Sequence, residues 1–137
     1  MAVKKDRIMN VSQQTLADPI HVAKQLADQF ALTACERDKA GGNPRAERDL
    51  IRQSSLLGLS IPKQYGGQGA NWKTIFKTIQ TIAQVDSSVA HVYGFHHLLI
   101  AIVQLFSQST QYGKWFEQTA KNNLFWGNTL NPLDKRT

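Results

Sequence analysis

The sequence has a single cysteine, Cys35, and only four prolines among its 137 residues. One cysteine excludes an internal disulfide, and no second thiol is present for a metal site of the thiolate type. We expect Cys35 to be a small buried side chain in a reducing compartment, which predicts a cytoplasmic protein. The first ten residues carry positive charge but no apolar run follows them, so a secretion signal is not predicted.

Long runs of one charge are also missing. Sixteen basic residues against ten acidic ones give a net charge of +6, but no run reaches five like charges. Arg45, Arg48 and Arg52 could form an anion-binding strip, although a solvated helix face is the simpler interpretation. No helix-turn-helix pair with a basic recognition helix is evident, so we predict no nucleic-acid partner.

The longest apolar run, from Val89 to Phe106, is interrupted by His91, His96, His97 and Gln104. Those polar residues favour a buried core helix over a membrane span, and we predict no membrane partner. His91 and His96 are five residues apart, or about 500° of helical rotation, so they do not share a face as a metal pair would. We therefore predict no metal site.

Apolar spacing and helix-capping residues predict an all-α protein, a five- to six-helix orthogonal or up-down bundle. Residues 1–14 are polar and predict a flexible tail, followed by a helical domain over residues 15–123. The predicted helices run from Asp18-Pro19 to about Lys39, from Asn43-Pro44 to Gly58, from Asn71 to Ala83, from Asp86 to Phe106, and from Ser109 to Asn123.

Hydrophobic periodicity also predicts which helix faces are buried. We expect Ala46, Phe76, Ala83 and Trp115 to point inward and Glu47 to face water. The helix that begins at Asp86 is apolar nearly all round and is expected at the centre of the bundle.

A glycine-rich turn follows Pro62, with Gly66, Gly67 and Gly69 in close succession. The turn lacks the Lys-Ser/Thr of a phosphate-binding loop, and no βαβ unit surrounds it. We interpret it as a structural turn that reverses the chain between two helices.

The spacing of apolar residues changes after the last predicted helix. Leu124, Phe125 and Trp126 are strand formers, so residues 124–130 predict a β-strand with no partner in the sequence. An unpaired apolar strand is incomplete by itself. We therefore expect residues 124–137 to be the start of a β-domain that is truncated here.

Several motifs together resemble a known family. Glu36-Arg37-Asp38, Tyr65-Gly66-Gly67, Tyr93-Gly94-Phe95-His96 and Phe125-Trp126-Gly127-Asn128 resemble the amino-terminal domain of the acyl-CoA dehydrogenase flavoprotein superfamily. The resemblance is closest to the branch of dibenzothiophene monooxygenase and related sulfur-acquisition oxidoreductases. It implies a flavin-dependent oxidoreductase, a two-component monooxygenase in which reduced FMN, or FAD, and oxygen attack a small sulfur-containing or apolar substrate. It also implies a flavin reductase partner and a homo-oligomeric full-length protein.

The resemblance also implies site residues. His96 would be catalytic in the flavin pocket, and Tyr93, one helical turn earlier, would line the same pocket, although both could equally be core residues. Asn128 would contact the flavin ring with its amide, together with Trp126, Gly127 and Thr129 of the same strand.

Two alternatives stay open. One is an FAD-dependent acyl-CoA dehydrogenase, and the other is a non-catalytic helical interaction module. Most contacts to the flavin phosphate and ribose come from later domains in the family. We therefore predict that this chain alone binds flavin weakly or not at all.

Overall fold

The computed structural model describes residues 18–127, in which every regular element is a helix. The all-α prediction is therefore confirmed. Residues 1–14, for which a tail is predicted, lie outside the described range, as do Asn128 and Thr129, for which flavin contacts are predicted. The elements in chain order are α1 (Pro19–Ala31), α2 (Ala34–Ala40), α3 (Arg45–Gln53), two short 3-10 helices (Leu56–Gly58 and Lys63–Tyr65), α4 (Trp72–Ala83), α5 (Ser87–Phe106) and α6 (Ser109–Asn122).

Three helices begin where the sequence predicts them, because a side chain caps each one. The side chains of Asp18, Asn71 and Asp86 accept hydrogen bonds from the first-turn amides of α1, α4 and α5. Each cap satisfies a backbone N–H that has no partner within the helix.

Two helices end earlier than predicted. The first helix was expected to reach Lys39, but it breaks at Leu32 and Thr33, where Thr33 leaves the helical backbone region with φ −129°. The second helix ends at Gln53 and does not reach Gly58, because Ser55 adopts a left-handed backbone with φ 65°. Its start is also uncapped, since Pro44 occupies the cap position and Asn43 makes no capping bond.

The core is built from two clusters of buried side chains. The larger joins α1, α3, α4 and the first half of α5 through residues such as Phe30, Ile51, Ile82 and Tyr93. The smaller joins the turn between the two 3-10 helices, the second half of α5 and α6 through Ile61, Ile100 and Phe116. Helix α5 is the element that belongs to both.

Several face predictions are wrong. Ala46, Phe76, Ala83 and Trp115 are exposed, as is Cys35, whereas Glu47 is buried. Glu47 avoids the cost of an unpaired buried charge because it pairs with Arg37 at 2.9 Å. The large apolar groups are exposed because no described element packs against those faces.

Helix α5 is central in topology but is buried on one side only. By length and composition it could cross a membrane, but the core helices of soluble proteins have the same properties. A third of its most apolar stretch is buried. Its exposed side is apolar too, and we call it the open stripe: His91, Phe95, Leu98, Ile102, Leu105 and Phe106.

The glycine turn reverses the chain, as predicted. Gly66 and Gly69 adopt positive φ angles of 82° and 58°. Gly67 lies against the backbone of Ile61 so closely that a Cβ atom there would collide with the Ile61 carbonyl oxygen. The turn therefore uses glycine for a close backbone approach, not for holding a phosphate.

Candidate functional site

The last four described residues, 124–127, lie against the helices and form neither a helix nor a strand, so the strand predicted from residue 124 does not begin within them. We call them the terminal segment. Asn123 turns the chain out of α6 with φ 49°, and the Leu124 amide donates back to the Thr119 carbonyl at 3.2 Å. The Trp126 indole N–H donates to the Thr119 hydroxyl at 2.7 Å. The segment is thus fixed to the end of α6 by its first and third residues.

His96 holds the same segment from the side of α5. The Trp126 backbone N–H donates to His96 Nδ1 at 3.0 Å, while His96 Nε2 lies 2.8 Å from the Leu57 carbonyl oxygen. A carbonyl can only accept, so the ring proton is on Nε2 and Nδ1 is the acceptor. Burial lowers the pKa of His96 from 6.5 to about 4, against the opposing effect of the Leu57 hydrogen bond. The imidazole is therefore neutral at pH 7.

Aromatic contacts complete this arrangement. The Phe125 ring lies edge-on to His96 with 5.6 Å between centroids, and the Arg52 guanidinium lies 5.4 Å from the Phe125 centroid on its face. The Trp126 ring packs on Phe116 at 5.6 Å. Each side chain of Phe125 and Trp126 thus has its own ring or cation partner.

Tyr93 is not directed toward this segment. Its hydroxyl is 2.9 Å from the Thr78 hydroxyl of α4, and burial raises the pKa of Tyr93 well above its usual value. Tyr93 also packs edge-on against His97. The structure therefore does not bring Tyr93 and His96 together on one pocket wall, and a catalytic role for either stays a prediction.

His97 is the second buried histidine of α5. Its Nδ1 lies 2.7 Å from the Ser60 hydroxyl, and its Nε2 has no hydrogen-bond partner among the described residues. Burial, with a smaller effect from His96, lowers the pKa of His97 well below 6.5. A neutral His97 leaves one nitrogen without a partner, which costs less than a buried cation.

His91 is the histidine of α5 that solvent reaches. It is exposed on the open stripe, where its ring lies 4.6 Å from the Phe95 ring. The five-residue offset between His91 and His96 in the sequence already indicated different faces of the helix. Only the structure shows that the His96 face is the buried one.

The surface of the described residues includes two cavities of interest. An open groove of about 640 Å³ runs beside the terminal segment, and a cavity of about 420 Å³ lies between the end of α2 and the start of α5 near Arg37. The groove lies between α6 and the end of α5, and it is lined by Val103, Tyr112, Trp115, Leu124, Phe125, Trp126 and Gly127 among others. No group of three metal-ligating side chains occurs among residues 18–127.

The groove fits part of a flavin. Its volume is in the range of cofactor sites, and its aromatic lining suits a flat ring system. Gly127 has free space where a Cβ would be, so a ring could approach its backbone closely. None of the described residues that line the groove is a lysine or an arginine. A flavin phosphate would therefore need cationic groups from outside the residues described.

The sequence matches the family model "Acyl-CoA dehydrogenase, N-terminal domain" over residues 13–123. This chain belongs to that family. The match covers α1 to α6 and ends just before the terminal segment.

Relatives of the family include bacterial monooxygenases. The chain is 55% identical over 130 residues to the probable FMNH2-dependent monooxygenase SfnC of Pseudomonas putida, covering 94% of this chain and 33% of that protein. It is 40% identical over 111 residues to dibenzothiophene monooxygenase of Rhodococcus erythropolis, covering 81% and 27%. The chain spans about a third of the length of these relatives.

Solved structures agree in fold and sequence. Methanesulfinate monooxygenase MsuC from Pseudomonas fluorescens superimposes with a TM-score of 0.83 and 59% identity, over 88% of this chain and 31% of that one. FMN-bound TdsC from Paenibacillus sp. A11-2 superimposes with a TM-score of 0.75 and 40% identity, over 85% and 30%. Both matches confirm the branch that the motifs resemble.

Proposed function

We propose that this chain forms one wall of the active site in a reduced-flavin monooxygenase that oxidises a small sulfur compound. The observation that carries the proposal is the fixed terminal segment beside an aromatic groove, in a chain 55% identical to a probable FMNH2-dependent monooxygenase. A bound reduced FMN would supply two electrons, so that one oxygen atom of O2 enters the substrate and the other leaves as water. A sulfinate would thereby become a sulfonate.

In this proposal, the residues of this chain position the flavin ring and exclude water from the reacting atoms. The Trp126 and Gly127 backbone would lie along the flavin ring, held by hydrogen bonds to His96 and Thr119. Asn128 and Thr129 continue this segment, and a flavin contact by either is part of the proposal. Apolar groove residues would keep water from the reacting atoms.

His91 is the histidine of α5 best placed to meet a ligand. It is exposed, whereas His96 and His97 are buried and His96 has partners at both nitrogens. An imidazole can accept a proton at one ring nitrogen and donate a hydrogen bond from the other. We therefore place His91 ahead of His96 and Tyr93 as the group able to exchange a proton with a bound molecule.

Other parts of the proposal concern the whole protein. A separate flavin reductase would supply the reduced FMN, the assembled protein would be a homo-oligomer, and its location would be the cytoplasm. The basis is the similarity to a probable FMNH2-dependent enzyme and to other bacterial monooxygenases.

The test uses the complete product of the gene that encodes this chain. Purified protein is mixed with FMN, NADH and a flavin reductase in air, with methanesulfinate or dibenzothiophene as substrate. We expect an oxidised sulfur product that needs both oxygen and reduced FMN.

A parallel reaction tests the alternative function and contains FAD, a short-chain acyl-CoA and an electron-accepting dye. Dye reduction by the acyl-CoA, without oxygen-dependent product, would instead identify an acyl-CoA dehydrogenase.

A further inference from the structure

His96 has the geometry of a structural clamp. It is fully buried, and its two ring nitrogens contact two separate parts of the chain, the Leu57 carbonyl and the Trp126 amide. Leu57 belongs to the 3-10 helix after α3, and its side chain is buried in the larger core cluster. One end of the clamp is therefore anchored in the larger core cluster.

The Leu57 contact determines what the other nitrogen can do. Because Nε2 donates its proton to a carbonyl, Nδ1 carries a lone pair that is directed at the terminal segment. The Trp126 amide donates to that lone pair, so its backbone position depends on the ring of His96. The Phe125 ring packs edge-on against the same imidazole and limits its rotation.

We propose that His96 is a positioning residue: by accepting the Trp126 amide proton, it fixes the backbone of Trp126 and Gly127 at the place where a flavin ring would rest. The flavin part of this inference rests on the proposed function. The clamp itself concerns only residues of this chain. His96 then acts through Trp126, and no proton needs to pass between His96 and the flavin.

Three variants separate positioning from simple packing. His96→Phe keeps a ring of similar size but removes both hydrogen bonds. His96→Gln keeps one donor and one acceptor at the end of the side chain. His97→Phe is the matched control, because His97 is an equally buried neighbour that contacts Ser60 and not the terminal segment.

The first measurement uses NMR of the isotopically labelled 137-residue chain. We expect a scalar coupling across the hydrogen bond between the Trp126 amide nitrogen and His96 Nδ1. We also expect the Trp126 amide to exchange with solvent about tenfold faster in His96→Phe than in His97→Phe, because one hydrogen bond is lost. His96→Gln should exchange at close to the original rate. Equal exchange in the two phenylalanine variants, or no coupling in the original chain, would overturn the clamp.

The second measurement follows FMN in the complete gene product, through its absorption spectrum and dissociation constant. His96→Phe should shift the flavin spectrum and weaken binding by about tenfold, whereas His96→Gln and His97→Phe should resemble the unmodified protein. If His96→Phe binds FMN with an unchanged spectrum and affinity, the positioning role is wrong. If the unmodified protein itself binds no FMN, the proposed function fails, and the exchange experiment still decides whether the clamp exists.

Discussion

Two neutral imidazoles at the centre of the molecule set its response to acid. His96 and His97 are adjacent on α5, buried, and held by Leu57, Trp126 and Ser60. Protonating His96 would remove the lone pair that receives the Trp126 amide. A single proton would therefore cost both the burial of a charge and a hydrogen bond.

We predict that the chain loses stability as the pH falls from 6.5 toward 4. The pKa of His96 is about 4 in the folded chain and 6.5 when unfolded, so the unfolded chain binds more protons in this window. The free energy of unfolding that His96 contributes falls by about 3 kcal/mol across this whole window. His97 adds to the loss in the same direction. Urea unfolding between pH 8 and pH 4 measures this loss.

Two variants serve as the comparison. In His96→Phe the free energy of unfolding should depend less steeply on pH, whereas in His91→Gln, at an exposed position, the pH dependence should not decrease. A free energy of unfolding that is constant from pH 7 to pH 4.5 would contradict the pKa shift.

A second prediction at this scale concerns Gly67. Gly67→Ala should destabilise the chain by at least about 2 kcal/mol, because the new Cβ would collide with the rigid backbone of Ile61. Gly58→Ala is the control. Its Cβ would have no neighbour nearer than 4.0 Å, so it should change stability by less than about 1 kcal/mol. Thermal or urea unfolding of both variants compares them, and equal stabilities would show that the turn can relax.

Among elements, Arg37 connects to three other parts of the helical domain. Its guanidinium pairs with Glu47 of α3 at 2.9 Å and with Asp86, the cap of α5, at 2.7 Å. It also donates to the Thr33 hydroxyl at the break between α1 and α2. The ion pairs therefore hold together helices that are distant in sequence.

We predict that Arg37→Met destabilises the chain by about 2 kcal/mol. The change leaves two buried carboxylates without their cation, and partial exposure of the arginine reduces the cost below that of a fully buried pair. Arg45→Met, at an exposed position on α3, is the control and should change stability by less than about 0.5 kcal/mol. Chemical denaturation measures both. Similar values for the two variants would mean that the network adds no stability.

The sequence predicts which segments form helices, but it predicts the ends of the helices and their buried faces less well. The starts at Asp18, Asn71 and Asp86 depend on local capping, which the sequence shows directly. The burial of Glu47 depends on its ion pair with Arg37, a contact that forms only when α2 and α3 come together. Tertiary contacts of this kind override local propensity.

At the scale of the whole molecule, we propose that the described residues form one side of a site. The groove beside the terminal segment is open, and the open stripe of α5 is not covered by any described element. The motifs correctly indicated the family. They could not show that His96 is sealed and that His91 is exposed, because this depends on how α5 packs against α4 and α6.

We predict that the 137-residue chain binds FMN weakly or not at all. Only one wall of the groove is present among the described residues, and no cationic side chain lines it to hold a phosphate. Titration of FMN followed by its fluorescence measures the affinity, with the complete gene product as the comparison. Tight binding at one FMN per chain by the 137 residues would contradict this prediction.

The source of the added oxygen atom tests the central claim most directly. The complete gene product is supplied with reduced FMN and methanesulfinate under ¹⁸O2, and the sulfonate is analysed by mass spectrometry. A monooxygenase places one labelled oxygen atom from O2 in each product molecule, and this is the result that we predict. Product without the label, or no product alongside oxidation of an acyl-CoA, would contradict the account.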